Sequence, residues 1–157
     1  MQVQWIVKSF EQLSASELYG ILKARVDVFV VEQECAYPEL DHKDQASLHL
    51  FAMEEGEVVA YARLLPPGVS YPEASIGRVL IVKRLRNTGT GRRLMDESMR
   101  LMREKWDVQN IKIQAQDYAR AFYASFGFEP VSEVYPEDDI PHVDMRWTNA
   151  DVQKERM

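Results

Sequence analysis

The spacing of apolar residues divides the chain into strands and helices. Residues 3–10 alternate around Trp5, which is the pattern of a half-buried strand. Ser14 and Glu17 stand three residues apart ahead of an apolar periodicity, and this arrangement is typical of a capping box at the start of a helix. A polar loop containing Pro38 follows that helix. The helix is predicted to bury one apolar face, formed by Leu18, Leu22, Val26 and Phe29.

The middle of the chain carries a hairpin and then a strand–helix–strand unit. Residues 47–54 and 57–65 are apolar runs separated by a glycine-containing turn, which predicts a β-hairpin. Residues 75–82, SIGRVLIV, are a short β-branched run that predicts a buried strand, and residues 110–116, NIKIQAQ, predict another. Between them a helix is predicted from Gly91 onward, with its buried face formed by Met95, Met99, Met102 and Trp106.

The last third of the chain contains a short helix and two final strands. Residues 117–126 place Ala119, Phe122 and Phe126 on one helical face, and Gly127 is positioned to end that helix. Residues 128–135 and 142–148 are predicted strands, and residues 149–157 a frayed tail. This order of elements predicts an α/β fold with a mixed sheet, in which antiparallel pieces surround a central strand–helix–strand unit. We assign residues 1–148 to one domain, since no linker or repeat divides them.

Composition and charge exclude several classes of protein. Apolar residues make up 46% of the chain and charged residues 28%, the balance of a soluble globular protein. The net charge of −6 argues against nucleic acid as a partner, and no stretch approaches the roughly 20 apolar residues of a membrane helix. Because Cys35 is the single cysteine and no signal-peptide pattern precedes it, a cytoplasmic protein is expected. The three histidines lie far apart, so no metal site is expected.

The stretch RLRNTGTGRRLM, residues 84–95, gathers four arginines around two glycines between a predicted strand and a predicted helix. The first amides of a helix have no acceptor within the helix, the aligned peptide dipoles make that end positive, and glycines let a phosphate approach closely. Arg86, Arg92 and Arg93 add fixed charge. Leu94 stands where a dinucleotide-binding motif has its third glycine, and Gly91 is not followed by lysine as in a Walker A loop. The spacing alone therefore fits a pyrophosphate cradle or a solvated basic turn.

Two motifs carry a family resemblance. Arg86-x-x-Gly89-x-Gly91, following a buried strand, resembles the acyl-CoA-binding motif of the GNAT superfamily of N-acetyltransferases, and residues 119–128, ARAFYASFGF, are similar to its second signature. Residues 24–33, 35–41 and 133–145 resemble the corresponding segments of the ElaA-like branch. The resemblance implies a twisted sheet of about six to seven strands flanked by helices. Its two central parallel strands would splay apart and hold acetyl-CoA, with no metal required.

The resemblance also assigns residues to the cofactor. Backbone groups of Leu80, Ile81 and Val82 would pair with the pantetheine arm, and Gln116, where the family often has asparagine, would bond the same arm. The pyrophosphate would be wrapped by a continuous loop, comprising Arg86, Asn87, Thr88, Gly89, Thr90, Gly91 and Arg92.

The implied chemistry is attack of a primary amine on a thioester in a ternary complex. A backbone N–H near Leu80 or Ile81 would stabilise the charge that develops on the carbonyl oxygen. Tyr123 matches the residue that returns a proton to the leaving thiolate. From the residues alone, Tyr123 is interpreted as a tyrosine at the core edge with a hydrogen-bonded hydroxyl, and its catalytic role is implied by the resemblance.

The acceptor side is less defined. The strand SIGRVLIV lacks the glutamate that many relatives use as a base, which leaves Glu32, a bound water or an amine that arrives neutral. Arg78 either forms a structural ion pair, with Glu32, Asp41 or Asp144, or binds a carboxylate of the acceptor. His49 and His142 are each either core-edge histidines or proton relays near the acceptor amine. Arg25 is expected to pair with a carboxylate.

The leading hypothesis is an enzyme that transfers an acetyl group from acetyl-CoA to a primary amine on a small molecule or peptide. The alternative is a CoA-binding sensor or scaffold without turnover, motivated by the missing glutamate. A third hypothesis is acyl transfer of the kind made by acyl-homoserine-lactone synthases, since residues 28–33, VFVVEQ, resemble theirs. A homodimer is the commonest assembly of soluble oligomers, and the sequence identifies neither the acceptor nor the preferred acyl chain.

Overall fold

The computed structural model describes residues 3–150, which form one eight-stranded mixed sheet with helices on both faces. Most of the predicted tail lies outside the described residues. The strands are β1 (Gln4–Ser9), β2 (Leu48–Glu54), β3 (Glu57–Leu65), β4 (Ala74–Ile81), β5 (Asn110–Gln116), β6 (Glu129–Pro130), β7 (Tyr135–Glu137) and β8 (Ile140–Thr148). The order is β1-β2-β3-β4-β5-β8-β6, with β7 also paired to β8. The count exceeds the expected six to seven because the predicted strand over residues 128–135 is two short strands, β6 and β7.

Three helices flank the sheet. They are α1 (Ala15–Val26), α2 (Thr90–Trp106) and α3 (Arg120–Ala124). The capping box at α1 is confirmed, since the Glu17 amide donates to Ser14 Oγ at 3.0 Å and the Ser14 amide to Glu17 Oε1 at 2.8 Å. The buried methionine face of α2 is also confirmed, because Met95 and Met102 are fully buried.

The predicted apolar face of the first helix is wrong. Its buried residues are Ile21, Ala24 and Arg25, and Val26 is exposed. Ile21, Ala24, Arg25 and Val28 follow regular helical spacing, so the buried stripe is rotated away from the predicted one. Arg25 can lie in this stripe because Glu39 and Asp44 neutralise its charge. A π-helical turn over Asp27–Glu32 continues the helix.

The sheet separates two hydrophobic cores, and β4 contributes to both. Ile76 packs in the core beneath α2, whereas Leu80 packs in the core beneath α1. Strand alternation would place these two residues on one face. A bulge breaks the alternation: Gly77 pairs with Arg63 and Leu80 with Tyr61, so two residues of β4 oppose one residue of β3. Arg78 occupies this bulge in the left-handed region, with φ of 49°.

Candidate functional site

A cleft opens between the two central strands. β4 and β5 are parallel but pair only at Ala74 with Ile111 and at Ser75 with Lys112, and beyond these positions they diverge. The predicted splay is therefore confirmed. A cavity of about 970 Å³ occupies this region. Its walls include many of the predicted site residues: Glu32, Arg78, Leu80, Ile81, Arg86, Asn87, Gly89, Gly91, Arg92, Gln116, Tyr123 and His142.

The loop that enters α2 presents unused backbone donors to this cleft. Gly89 precedes the first residue of α2 and has φ of 88°. In the described part of the chain, the backbone amides of residues 87–92 donate to no protein acceptor. The helical hydrogen bonds begin with the Arg93 amide, which donates to the Gly89 carbonyl at 3.1 Å. A Cβ placed on Gly89 would contact nothing within 4 Å. These amides and this open space fit a diphosphate.

The arginines of this loop point in different directions. Arg86 donates through Nε to the Ile81 carbonyl at 2.9 Å and through both terminal nitrogens to the Glu32 carboxylate. Arg92 donates to Ser125 Oγ at 2.9 Å. Arg93 lies over the Trp5 ring, 5.2 Å from its centre, and does not line the cavity. Of the arginines in this loop, Arg86 and Arg92 are thus the two that line the cavity.

The backbone of β4 offers fewer free groups than expected. Val82 is not available to a ligand, because its amide donates to the Val59 carbonyl at 2.9 Å and its carbonyl accepts from Leu85. Successive residues of a strand direct their backbone groups to opposite edges. Leu80 therefore faces β3, as Val82 does, whereas the N–H and C=O of Ile81 face the cleft. Thr88 and Thr90 also fall outside the cavity wall, with their hydroxyls bonded to each other at 2.9 Å.

Tyr123 lies in the cavity wall between two aromatic rings. Its ring packs edge to face on Phe122, with centres 5.3 Å apart, and on Phe128 at 6.2 Å. No described residue bonds its hydroxyl. Burial raises the pKa of Tyr123, so the side chain keeps its proton. The ring is fixed by packing, while its hydroxyl remains free to donate within the cleft.

Two paired side-chain amides lie at the far edge of the cleft. Gln116 ends β5, and its side chain exchanges two hydrogen bonds with that of Gln33, at 3.0 and 3.3 Å. His142 lies beside Gln116 in the β5–β8 register. One ring nitrogen of His142 lies 2.7 Å from the Ile140 carbonyl, and the ring stacks on Tyr135.

A buried network of charges supports the part of the cavity wall that contains Arg78 and Asp41. Arg78 donates through Nε to Glu39 Oε2 at 2.7 Å, and its Nη2 lies 3.5 Å from Asp41. The structural ion pair predicted for Arg78 is therefore present, with Asp41 as a distant partner and Glu39 as the main one. Asp41 also accepts from Arg63 at 2.8 Å. Burial by itself would raise the pKa of Asp41, but the bonds and charge of Arg63 hold it well below its usual range.

His49 lies in the interior and not in the cavity wall. It is fully buried, with Nδ1 2.6 Å from the Tyr61 hydroxyl and Nε2 2.9 Å from the Asp44 carbonyl. Burial lowers its pKa, so the neutral ring is favoured. This position agrees with a core histidine, and it separates His49 from an acceptor in the cleft.

Sequence reasoning missed Glu39 as a key residue of the network. Glu39 is buried and bonds both Arg25 and Arg78. The signal was the acidic spacing in the polar loop, where Glu39, Asp41 and Asp44 face two arginines already expected to need partners. Cys35 lies in the loop that follows the π-helical turn. Its thiol lies 3.7 Å from the Asp138 carbonyl at the cavity edge.

Comparison with known proteins identifies the class. Residues 12–149 match the model of the acetyltransferase (GNAT) domain. Protein ElaA of Escherichia coli is 38% identical over 145 residues, which cover 91% of this chain and 95% of that protein. The chain therefore belongs to the GNAT acetyltransferase family, and the ElaA-like resemblance is confirmed.

Solved structures agree with this assignment. An acyl-CoA N-acyltransferase from Pseudomonas aeruginosa superposes with a TM-score of 0.88 at 39% identity, covering 94% of this chain and all of that one. ElaA from Escherichia coli has the same TM-score at 36% identity, covering 93% and 99%. A CoA-dependent acyl-homoserine lactone synthase, at 17% identity and a TM-score of 0.78, shares the fold alone.

Within residues 3–150, no helix is long and apolar enough to cross a membrane. The same residues contain no cluster of three or more histidine, cysteine or acidic side chains that could hold a metal ion.

Proposed function

We propose that this protein transfers an acetyl or other short acyl group from acyl-CoA to a primary amine, in a ternary complex. The observation that carries the proposal is the cleft itself. The two parallel central strands pair at two positions and then diverge. The loop that enters α2, with six unused amides, lines the same cavity. The Pseudomonas relative is an acyl-CoA N-acyltransferase, which supports acyl-CoA as the donor and an amide as the bond formed.

The loop over residues 87–92 defines the half of the cavity that would hold acyl-CoA. Amides of residues 87–92 would hold the diphosphate, with Arg86 and Arg92 supplying charge. The cleft-facing backbone of Ile81 and the side chain of Gln116 would bond the pantetheine arm from opposite walls. Gly91 carries no side chain, and a Cβ there would lie 3.5 Å from Phe122. This distance is ordinary van der Waals contact, so α2 already packs directly against Phe122 at this position.

The protein's own groups account for the chemistry around a thioester. Acyl-CoA supplies an activated acyl group: the amine nitrogen forms the new C–N bond as the C–S bond breaks and a thiolate leaves. The Ile81 amide is directed into the cleft and would stabilise charge on the acyl oxygen. Tyr123 would give its proton to the leaving sulfur. Because burial raises the pKa of Tyr123, positioning contributes more to this transfer than acidity does.

The acceptor amine must lose a proton, and Glu32 is the carboxylate best placed to receive it. Glu32 lines the cavity at the end of the π-helical turn, and 41% of its side chain is exposed. Its reach to the amine would be direct or through one water. Beyond it, Asp41, Arg78 and His142 form the wall available to the acceptor.

Two measurements on the purified protein test the proposal. Calorimetric titration of coenzyme A tests the donor site, and a thiol-release assay with acetyl-CoA and a panel of primary amines tests turnover. Binding with turnover of at least one amine is the expected result. Binding without turnover on any amine would favour the sensor, and no binding would overturn the proposal.

A further inference from the structure

One short segment reaches across the cleft and holds both of its walls. Residues 32–35, which we call the strap, follow the π-helical turn, and Glu34 has φ of 51° where the chain leaves that turn. Glu32 contacts Arg86 beyond β4, and Gln33 contacts Gln116 at the end of β5. The strap therefore joins elements that lie 54 and 83 residues away along the chain.

Both side chains that the strap holds are assigned to the acyl donor. The Arg86 guanidinium is used on two edges: Nε donates to the Ile81 carbonyl at 2.9 Å, and Nη1 and Nη2 donate to Glu32 at 2.7 and 3.0 Å. This forked pairing uses the edge that suits a phosphate or a carboxylate. A diphosphate in the loop and the Glu32 carboxylate thus compete for one edge of Arg86.

The same competition exists on the opposite wall. The Gln116 amide donates to Gln33 Oε1 at 3.0 Å and accepts from Gln33 Nε2 at 3.3 Å. Both its donor and its acceptor are directed at the strap. A pantetheine amide between β4 and β5 would need one of these groups.

We propose that Glu32 and Gln33 are positioning residues that hold Arg86 and Gln116 until acyl-CoA takes over both contacts. The exchange frees the strap from both walls, and it releases Glu32 toward the acceptor half of the cavity. This inference rests on the proposed function, since it takes acyl-CoA as the ligand of the cleft.

The proton affinity of Glu32 agrees with such an exchange. The hydrogen bond and charge of Arg86 lower the pKa of Glu32 in the free protein. Loss of Arg86 to a diphosphate removes that effect, so the released carboxylate becomes a better proton acceptor. The acyl donor thereby prepares the base that its own reaction needs.

A double-mutant cycle on coenzyme A affinity tests the competition. Glu32→Gln removes the competing charge, and we expect calorimetry to show about two- to five-fold tighter binding of coenzyme A, the scale of an exposed ion pair. Arg86→Ala weakens binding. In the Arg86→Ala background, Glu32→Gln changes the affinity no further, because the contact that Glu32 blocked is already gone. Thermal melts of all four proteins confirm that each is folded.

A matched control variant distinguishes competition for Arg86 from the general effect of removing one negative charge. Arg84 pairs with Glu54 at 2.6 Å in the same loop, outside the cavity wall. Glu54→Gln removes an equal charge and should leave coenzyme A affinity unchanged. Equal tightening by Glu32→Gln with and without Arg86 would overturn the inference, as would no tightening at all in a protein that binds coenzyme A. Absence of binding by the unmodified protein would overturn the proposed function as well.

Discussion

Arg25 and Arg78 donate to the same carboxylate oxygen, Glu39 Oε2, each at 2.7 Å. Arg25 lies in α1 and Arg78 in the bulge of β4, so one acidic side chain connects the first helix to the strand that carries the site. The Glu39 carbonyl also accepts from both arginines. The loop between α1 and β2 is therefore a structural part of the cavity wall.

Removal of this shared carboxylate should destabilise the fold. Glu39→Gln leaves the fully buried Arg25 with less compensating charge, and breaking a buried pair costs about 3–5 kcal/mol. Urea unfolding followed by circular dichroism measures the loss. The control is Glu133→Gln, at an exposed residue outside the ion pairs of the described chain, with an expected change within about 0.5 kcal/mol. Equal stability of the two variants would contradict the structural role of Glu39.

Tyr123→Phe should lower turnover without weakening donor binding. The phenyl ring keeps the packing on Phe122 and Phe128, and only the hydroxyl is lost. General acid catalysis contributes about 10²- to 10⁴-fold, so kcat should fall by that order. Thiol release gives kcat, and calorimetry with coenzyme A should give an unchanged Kd. An unchanged kcat would assign Tyr123 to packing alone.

The pH dependence of turnover follows from the same residue. Burial raises the pKa of Tyr123 above its ordinary value of about 10, and a general acid acts in its protonated form. Tyr123 therefore stays active throughout the range below about pH 10, and it contributes no decline of kcat there. The measurement is kcat from pH 6 to 10 in both proteins. A fall near pH 8 that is absent in Tyr123→Phe would contradict this prediction.

Gly89→Ala should weaken coenzyme A binding through the shape of the loop. Gly89 has φ of 88°, and a Cβ there would point into open space beside the free amides. We expect roughly ten-fold weaker binding, which corresponds to about 1.4 kcal/mol. Gly56→Ala is the matched control, since Gly56 has φ of 79°, equally open surroundings and a position in the β2–β3 turn. It carries the same backbone strain of about 1–2 kcal/mol, and its coenzyme A affinity should be unchanged.

Acid should remove the stabilisation that Asp41 provides. Burial alone would raise its pKa, but Arg63 holds the pKa of Asp41 below the unfolded value of about 3.9. The unfolded chain then binds more protons as the pH falls, so the contribution is complete above about pH 4 and is lost below it. Urea unfolding should show a difference between wild type and Asp41→Asn that is constant from pH 7 to 5 and narrows toward pH 3. A constant difference at all pH values would contradict the pairing.

The sequence predicted most elements because local patterns determine them. Ser14 and Glu17 marked the start of α1, and the methionine spacing marked the buried face of α2. The splay of β4 and β5 followed from the family motifs. The family resemblance assigned Val82 to the pantetheine arm by its position in the motif. The sequence could not show that the Val82 amide already donates to the Val59 carbonyl of β3.

The errors arose where tertiary contacts override a local pattern. The apolar periodicity placed Val26 inside, but the buried stripe passes through Arg25, whose burial depends on its pairing with Glu39 and Asp44. Simple strand alternation would place Arg78 on the same face as Ile76 and Leu80, but Arg78 occupies a bulge. Its main partner, Glu39, comes from a loop whose path depends on the folded helix.

The bulge at Arg78 also makes the fold sensitive to the length of β4. One extra residue changes which side chains of β4 face each core, so that Ile76 and Leu80 enter different cores. Deletion of a single codon within β4 would restore simple alternation, exchange the two faces beyond Gly77 and turn the Ile81 amide away from the cleft. Point substitutions leave the register of β4 with β3 unchanged. Which side chains of β4 face each core therefore depends on the number of residues in the strand.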